Sequence, residues 1–424
     1  MTDLALFTSV DDLLGRDAPP YPDGQTRIRS AEATAEDLDG HLESVGITRV
    51  ADVTGLDRIG IPVVMVVRPN SRSLAVSQGK GRDLVSARVS GIMESIELAT
   101  AERATGPVWM TSTDDLRHHR RPYVDPTRLA LARDTDYDER KILPWIEGFD
   151  LNAEQPILVP WELVHADASL PLAPGSGTFV RSTNGLASGN VPAEAVLHGL
   201  CEVVERDALA LWELRSTDAQ NATRVDPSTI DDAEAIELIA RYERADIDTL
   251  MWAVTSEIGV PVFRVIIVDR HTHPVLKPLP AAFGAGCHPR RMVALVRALT
   301  EAAQSRLTAI AGARDDMTRA RYRRTQSEAS LEHHRQLARR SGTARYRDAP
   351  DIGGPTLEQD ISTVLGALGN GSTRSIVAVP LNHSHKPWSV VRVVVSDLEG
   401  PVESPQYRPG KRAAAVSTGD TGPP

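Results

Sequence analysis

Asn184–Ala208 reads NGLASGNVPAEAVLHGLCEVVERDA. It combines a glycine-rich turn with a helical pattern that carries an unusual load of acid. Glu194, His198, Glu202 and Glu205 fall at i, i+4, i+8 and i+11 on one side of that helix, and Val196, Leu200 and Val203 lie on another. The apolar face predicts a core helix. Arg206 can pair with Glu202 at i+4, worth about 0.3–0.5 kcal/mol, which leaves Glu194 and Glu205 without a local cation.

The same pattern occurs twice more. Ser77–Arg103, SQGKGRDLVSARVSGIMESIELATAER, sets Gly79, Lys80 and Gly81 ahead of Glu94 and Glu97. Phe283–Leu307, FGAGCHPRRMVALVRALTEAAQSRL, sets Gly284 and Gly286 ahead of Glu301 and Gln304. The gap from last glycine to first glutamate is 13 residues in the first two stretches and 15 in the third. Side chains at i and i+3 share a helix face, so each unit aims two acceptors in one direction. Carboxylates that converge away from water must be protonated or hold cations, and a hard divalent ion such as Mg²⁺ takes oxygen ligands, usually one or two carboxylates per ion. Glycine-rich turns let backbone N–H groups approach an anion. Together with Lys80, Arg206 and Arg306 the pattern points to a nucleotide polyphosphate held through Mg²⁺. No GxxxxGK[ST] occurs, so the site is not a P-loop.

Around these stretches the chain alternates helical patterns with short β-branched runs, an α/β or α+β arrangement. Three runs resemble one another and predict core strands: IGIPVVMVV (59–67), IGVPVFRVIIV (258–268) and WSVVRVVV (388–395). The chain of 424 residues is 41% hydrophobic and 25% charged, the composition of a folded globular protein. Its 47 basic and 57 acidic residues give a net charge of −10, which provides no basic field for nucleic acid. The acidic opening MTDLALFTSVDDLLGRD lacks the basic n-region of a signal peptide, and no apolar run nears the roughly 18 residues of a membrane helix. A cytoplasmic protein is expected. Cys201 and Cys287 lack zinc-type spacing and read as small core residues. His271 and His273, like His383 and His385, have no third ligand nearby and read as surface histidines. Asp207 either assists a metal or caps Arg206. The Arg-crowded span 315–347 reads as a solvated helix and loop, with a basic peptide-binding patch as the alternative.

The three glycine–helix stretches, with the closing VVRVVVSDLEGPVESPQYRPGKRA, closely resemble the YcaO family of ATP-dependent enzymes that activate peptide backbone amides. The resemblance spans roughly residues 40–415. It implies an α+β fold of mixed β-sheets and packed helices that form an atypical Mg-ATP site. The organisation it implies is a variable arm over 1–40, a catalytic domain over 41–400 and a partly flexible tail over 401–424. Glu94, Glu97, Glu202 and Glu205 match the family's metal-binding acids. Asn190, Glu194, Arg206 and Gln304 match its nucleotide contacts, and Lys80 and Ser90 stand at phosphate-side or helix-capping positions. In the family's chemistry a nucleophile adds to an amide carbonyl, the oxyanion attacks the γ-phosphate of ATP, and the amide oxygen leaves as phosphate. A substrate Cys, Ser or Thr gives an azoline, and external sulfide gives a thioamide. Azoline-forming members usually end in PxPxP, whereas this chain ends GDTGPP. With YRPGKRA, that ending makes the chain more similar to TfuA-associated members, for which thioamide formation is implied. The implied partners are a precursor peptide or protein, a TfuA-like or other peptide-recruiting protein, and a second copy in a homodimer. An azoline-forming cyclodehydratase and an accessory factor of the ribosomal protein S12 methylthiotransferase are the alternative roles.

Overall fold

The computed structural model describes residues 9–22, 24–104, 106–173, 175–271, 278–314, 327–370, 374–382, 386–402 and 404–417. His273, His383 and His385, residues 315–326 of the Arg-rich span and the last seven residues lie outside the described residues.

In chain order the helices are α1 (Val10–Leu14), α2 (Ala31–Asp39), α3 (Leu84–Ala101), α4 (Thr113–His118), α5 (Pro192–Glu213), α6 (Thr217–Ala222), α7 (Ala233–Arg244), α8 (Arg291–Ala311), α9 (Glu328–Ala338), α10 (Leu357–Gly369) and α11 (Lys411–Ser417). The strands are β1 (Arg49–Asp52), β2 (Val63–Val67), β3 (Val76–Lys80), β4 (Trp109–Thr111), β5 (Leu143–Asp150), β6 (Gln155–Pro160), β7 (Leu186–Gly189), β8 (Ile247–Ala253), β9 (Val262–Asp269), β10 (Ala282–Cys287), β11 (Ile376–Pro380) and β12 (Ser389–Val395). The three β-branched runs are β2, β9 and β12. The class is α+β, every ladder between these strands is antiparallel, and parallel pairing is confined to isolated bridges.

The chain divides into two compact units. One comprises residues 31–95 and 215–353 and holds two three-stranded sheets, β1-β2-β3 and β10-β9-β8. In each, β2 or β9 is the middle strand, and its buried Val, Ile and Phe side chains feed the core. That core gathers Ile61, Ala235, Tyr242, Phe263, Leu295 and Leu299, and the Tyr242 hydroxyl donates to the Leu299 carbonyl at 2.6 Å. The other unit comprises residues 1–30, 96–214 and 354–424 and holds one six-stranded sheet, β4-β5-β11-β12-β7, with β6 on the second edge of β5. Leu143, Trp145, Leu158 and Phe179 form a core at one end of that sheet. At the other end α5 covers β12 and β7, with α10 packed against it.

The glycines of the repeated motif have a different place from the one expected. Gly79, Gly189, Gly284 and Gly286 lie within strands or at a strand's end, not in turns, and each faces the helix that follows. A Cβ on Gly79 would stand 2.0 Å from the Ala87 carbonyl oxygen and 2.1 Å from the Gly91 nitrogen of α3. On Gly284 it would meet the Ala298 oxygen of α8 at 2.2 Å, and on Gly189 the Glu194 Cβ of α5 at 2.5 Å. The strand backbone and the helix backbone are in direct contact, which only glycine permits. Gly185 adds a left-handed conformation, φ 78°, with a hypothetical Cβ 2.2 Å from the Val393 oxygen.

Gly79→Ala and Gly284→Ala are therefore each expected to lower the unfolding free energy by about 1–3 kcal/mol in urea denaturation. Gly366→Ala, on an open surface of α10 with nothing within 4 Å of the new methyl, raises it by about 0.5–1 kcal/mol.

Candidate functional site

The acids of α5 are held by backbone donors. Glu202 Oε2 accepts from the Gly185 N–H at 3.2 Å, and Arg206 stands 3.9 Å from its other oxygen, the limit of an ion pair. Glu97, near the end of α3, accepts from both the N–H and the hydroxyl of Ser188, at 2.9 and 2.7 Å. Glu194 is buried, and Asn190 donates to its Oε2 through its backbone N–H at 2.9 Å and its side chain at 2.8 Å. Its Oε1 accepts from Ile28 N–H at 2.8 Å, which ties the N-terminal arm to α5. Glu205 is also buried. These groups belong to the same unit.

The remaining predicted residues fall in the other unit. Glu94 lies on α3 one turn before Glu97, and Ser90 lies one turn before Glu94, half-buried. Burial pushes the Glu94 carboxyl up to about 7, against the pull of Lys80 and Arg314. Lys80 pairs with Glu301 at 2.5 Å. Gln304 donates to the Gln78 carbonyl at 3.3 Å, while its Oε1 and the Gln78 Nε2 are buried without a hydrogen-bond partner among the described residues.

Two expectations change. Arg306 is 1% exposed and bonded to Asp57 at 2.8 Å and Asp269 at 3.1 Å, so it is a structural ion cluster and is not presented to a polyphosphate. Asp207, 0% exposed, takes up a partner that the sequence reading did not name. It accepts from Arg412 Nε and Nη2 at 2.9 and 2.8 Å and from the Glu399 N–H at 2.9 Å. Glu399 in turn accepts from the Tyr407 hydroxyl and from the Gly410 and Ala413 N–H groups, so both acids bind the segment that ends in α11. Cys201 and Cys287 are buried and not disulfide-bonded, as expected, and His271 is exposed.

The reading of the sequence passed over Arg392. It sits 3% exposed in the middle of β12, where one charge interrupts an otherwise apolar run, and that interruption was the available signal. Burial brings its guanidinium down to about 10, against the opposing influence of the Glu202 charge.

Among the described residues no three His, Cys, Asp or Glu side chains form a metal cage. Mg²⁺ does not require one, because it keeps waters and shares substrate phosphates, with one or two protein carboxylates. The predicted ligands suit it, being carboxylate oxygens without a thiolate or imidazole among them.

A family model described as "YcaO cyclodehydratase, ATP-ad Mg2+-binding" matches residues 78–399. A protein of Rhizobium leguminosarum bv. trifolii, described as an uncharacterized protein in the tfuA 3' region, is 36% identical over 98% of this chain and 99% of its own length. An uncharacterized protein of Methanothermobacter thermautotrophicus is 33% identical over 88% of this chain and 94% of its own. Among solved structures, a heterocyclase in complex with substrate and cofactor superposes with a TM-score of 0.74 at 18% identity, covering 92% of this chain and 55% of that one. YcaO from Methanopyrus kandleri, bound with AMPPCP and Mg²⁺, gives 0.67 at 24% identity, covering 91% and 97%. The fold is thus the α+β fold of these two structures. The chain belongs to the YcaO family, with ATP and Mg²⁺ as its cofactors. No helix among the described residues is long and apolar enough to cross a membrane.

The structural role of Arg306 has a direct consequence. Arg306→Ala strands Asp57 and is expected to cost roughly 3–5 kcal/mol of stability in chemical denaturation. The MgATP affinity of the folded protein, measured by calorimetry, is expected to stay within about twofold, because the lost contacts are structural.

Proposed function

We propose that this protein activates a backbone amide of a ribosomally made peptide or protein in a MgATP-dependent reaction whose product is a thioamide. The observation that carries the thioamide reading is the relative named for its place 3' of tfuA, which matches this chain almost end to end. Membership of the YcaO family supports the amide activation itself.

In this reading Glu97, Glu202 and Glu205, with Glu94 in the other unit, bind Mg²⁺. Asn190, Glu194 and Arg206, with Lys80, Ser90 and Gln304, bind the nucleotide. ATP, when bound, supplies the phosphoryl group that converts a poor amide-oxygen leaving group into phosphate. The protein's contribution is position and charge. Glu202 is oriented by the Gly185 N–H and Glu97 by Ser188, so neither carboxylate has to reorganise when a cation arrives. Asn190 and Glu194 brace one another at the start of α5. No enzyme nucleophile is needed, in keeping with two buried cysteines. A TfuA-like protein would be the partner that supplies sulfur or recruits the peptide.

Intact-mass analysis of a neighbouring precursor peptide, incubated with the protein, Mg-ATP, sulfide and a TfuA-like protein, tests the product. The expected gain is about 16 Da, oxygen exchanged for sulfur, whereas a loss of about 18 Da means dehydrative cyclisation and overturns the thioamide reading. An unchanged mass, with restored activity only beside a methylthiotransferase, assigns the chain to an accessory role. Glu202→Gln and Glu205→Gln are expected to reduce turnover by roughly a hundredfold or more without unfolding the protein. Normal turnover in both variants excludes these acids from the metal site.

A further inference from the structure

One cavity, of about 60 Å³, opens within the unit that carries α5. That is several times the roughly 10–15 Å³ a single water needs. Its lining mixes apolar side chains, Leu163, Val180 and Val203 among them, with the polar ones of Ser182, Asn184, Arg392 and Glu399, and the Glu399 carboxylate already accepts from Tyr407, Gly410 and Ala413. Arg392 Nη2 donates to the Ser182 carbonyl at 2.6 Å. Its Nε and Nη1 are buried and have no hydrogen-bond partner among the described residues, and neither has Asn184 Oδ1. A buried unpaired donor or acceptor costs about 1–3 kcal/mol, more for a charged group. A cavity that keeps unpaired donors and an unpaired acceptor beside apolar side chains is shaped by what enters it.

We propose that this cavity binds a peptide amide unit, its carbonyl accepting from Arg392 and its N–H donating to Asn184 Oδ1. A simple anion would satisfy the arginine but set its charge against the Asn184 carbonyl oxygen, and a cation would meet the guanidinium. An amide offers one acceptor and one donor, and flanking side chains suit the apolar part of the lining. The site also adjoins the acids of α5. Asn184 precedes Gly185, whose N–H holds Glu202, and Val203, the next residue after Glu202, lines the cavity. The inference deepens the amide-activation reading and rests on it for its meaning, although the binding itself does not require ATP.

The test uses the full chain labelled with ¹⁵Nε-arginine, the Arg392 Nε–H signal being identified by its loss in Arg392→Lys. N-acetylalanine N-methylamide is titrated as a minimal peptide amide, with sodium phosphate and sodium acetate as comparisons. The expected result is a saturable shift of that signal with the amide and none with either anion. Asn184→Leu is expected to weaken amide binding roughly tenfold. Asn184→Asp, which sets a carboxylate against Arg392 and keeps the cavity's volume, is expected to abolish it while thermal unfolding is unchanged or raised. A saturable shift with phosphate or acetate in place of the amide overturns the proposal, as does no saturable shift with any of the three. Unaltered amide affinity in both Asn184 variants also overturns it. MgATP binding, followed separately by calorimetry on the same samples, reports on the amide-activation reading: its loss would remove that reading and leave the Arg392 result standing.

Discussion

The fold depends on one contact made three times, a strand backbone lying against a helix backbone with no side chain between them. At Gly79 and Gly91, at Gly189, and at Gly284 and Gly286, the spacing leaves no room for a methyl group. The helix that follows the strand is thereby held close to the sheet, and its direction is set within the first two turns. That constraint puts Glu94 and Glu97, Glu202 and Glu205, and Glu301 and Gln304 at matching depths along three helices.

A second constraint acts on the charges themselves. Glu97, Glu194 and Glu202 accept from backbone N–H groups of Ser188, Asn190, Ile28 and Gly185, and Glu399 from Gly410 and Ala413. Backbone donors fix a carboxylate's direction, and the side-chain cations beside these acids stand farther off, Arg27 at 3.7 Å from Glu194 and Arg206 at 3.9 Å from Glu202. The guanidiniums that are buried do other work. Arg306 ties Asp57 to Asp269, and Arg412 ties Asp207 to the segment that follows β12.

Much of this was legible before any coordinates. Periodicity marked α3, α5 and α8, β-branched runs marked β2, β9 and β12, and the glycine–acid spacing joined the three helices into one pattern. The purpose of the glycines was not legible, because close packing and anion binding require the same residue. The partners of Arg306 and Asp207 were hidden for another reason: Asp57, Asp269 and Arg412 are distant in sequence, and no local spacing records such a pairing. Arg392 left a visible trace, a charge within SVVRVVV, that periodicity alone treats as a strand residue on its way to solvent. The third sheet was half legible. One inner strand, β12, was recognised as a core strand, but that it would pair with β7, the strand that leads into α5 far earlier in the chain, was not.

That reversed order has a consequence for how the chain is made. The motifs β1-β2-β3-α3 and β8-β9-β10-α8 are contiguous, so each can assemble as it leaves the ribosome. The third motif is not: β7 and α5 emerge early, and the neighbouring strand β12, paired with β7 from Leu186 opposite Arg392 to Gly189 opposite Ser389, arrives only after the whole of the intervening unit has been synthesised. Until then the apolar face of α5 has only one of its two strands, β7, to cover, and the loop that must close is long. The nascent protein therefore carries its acid-bearing helix unfinished for most of translation, and that helix is the segment with most to gain from a chaperone.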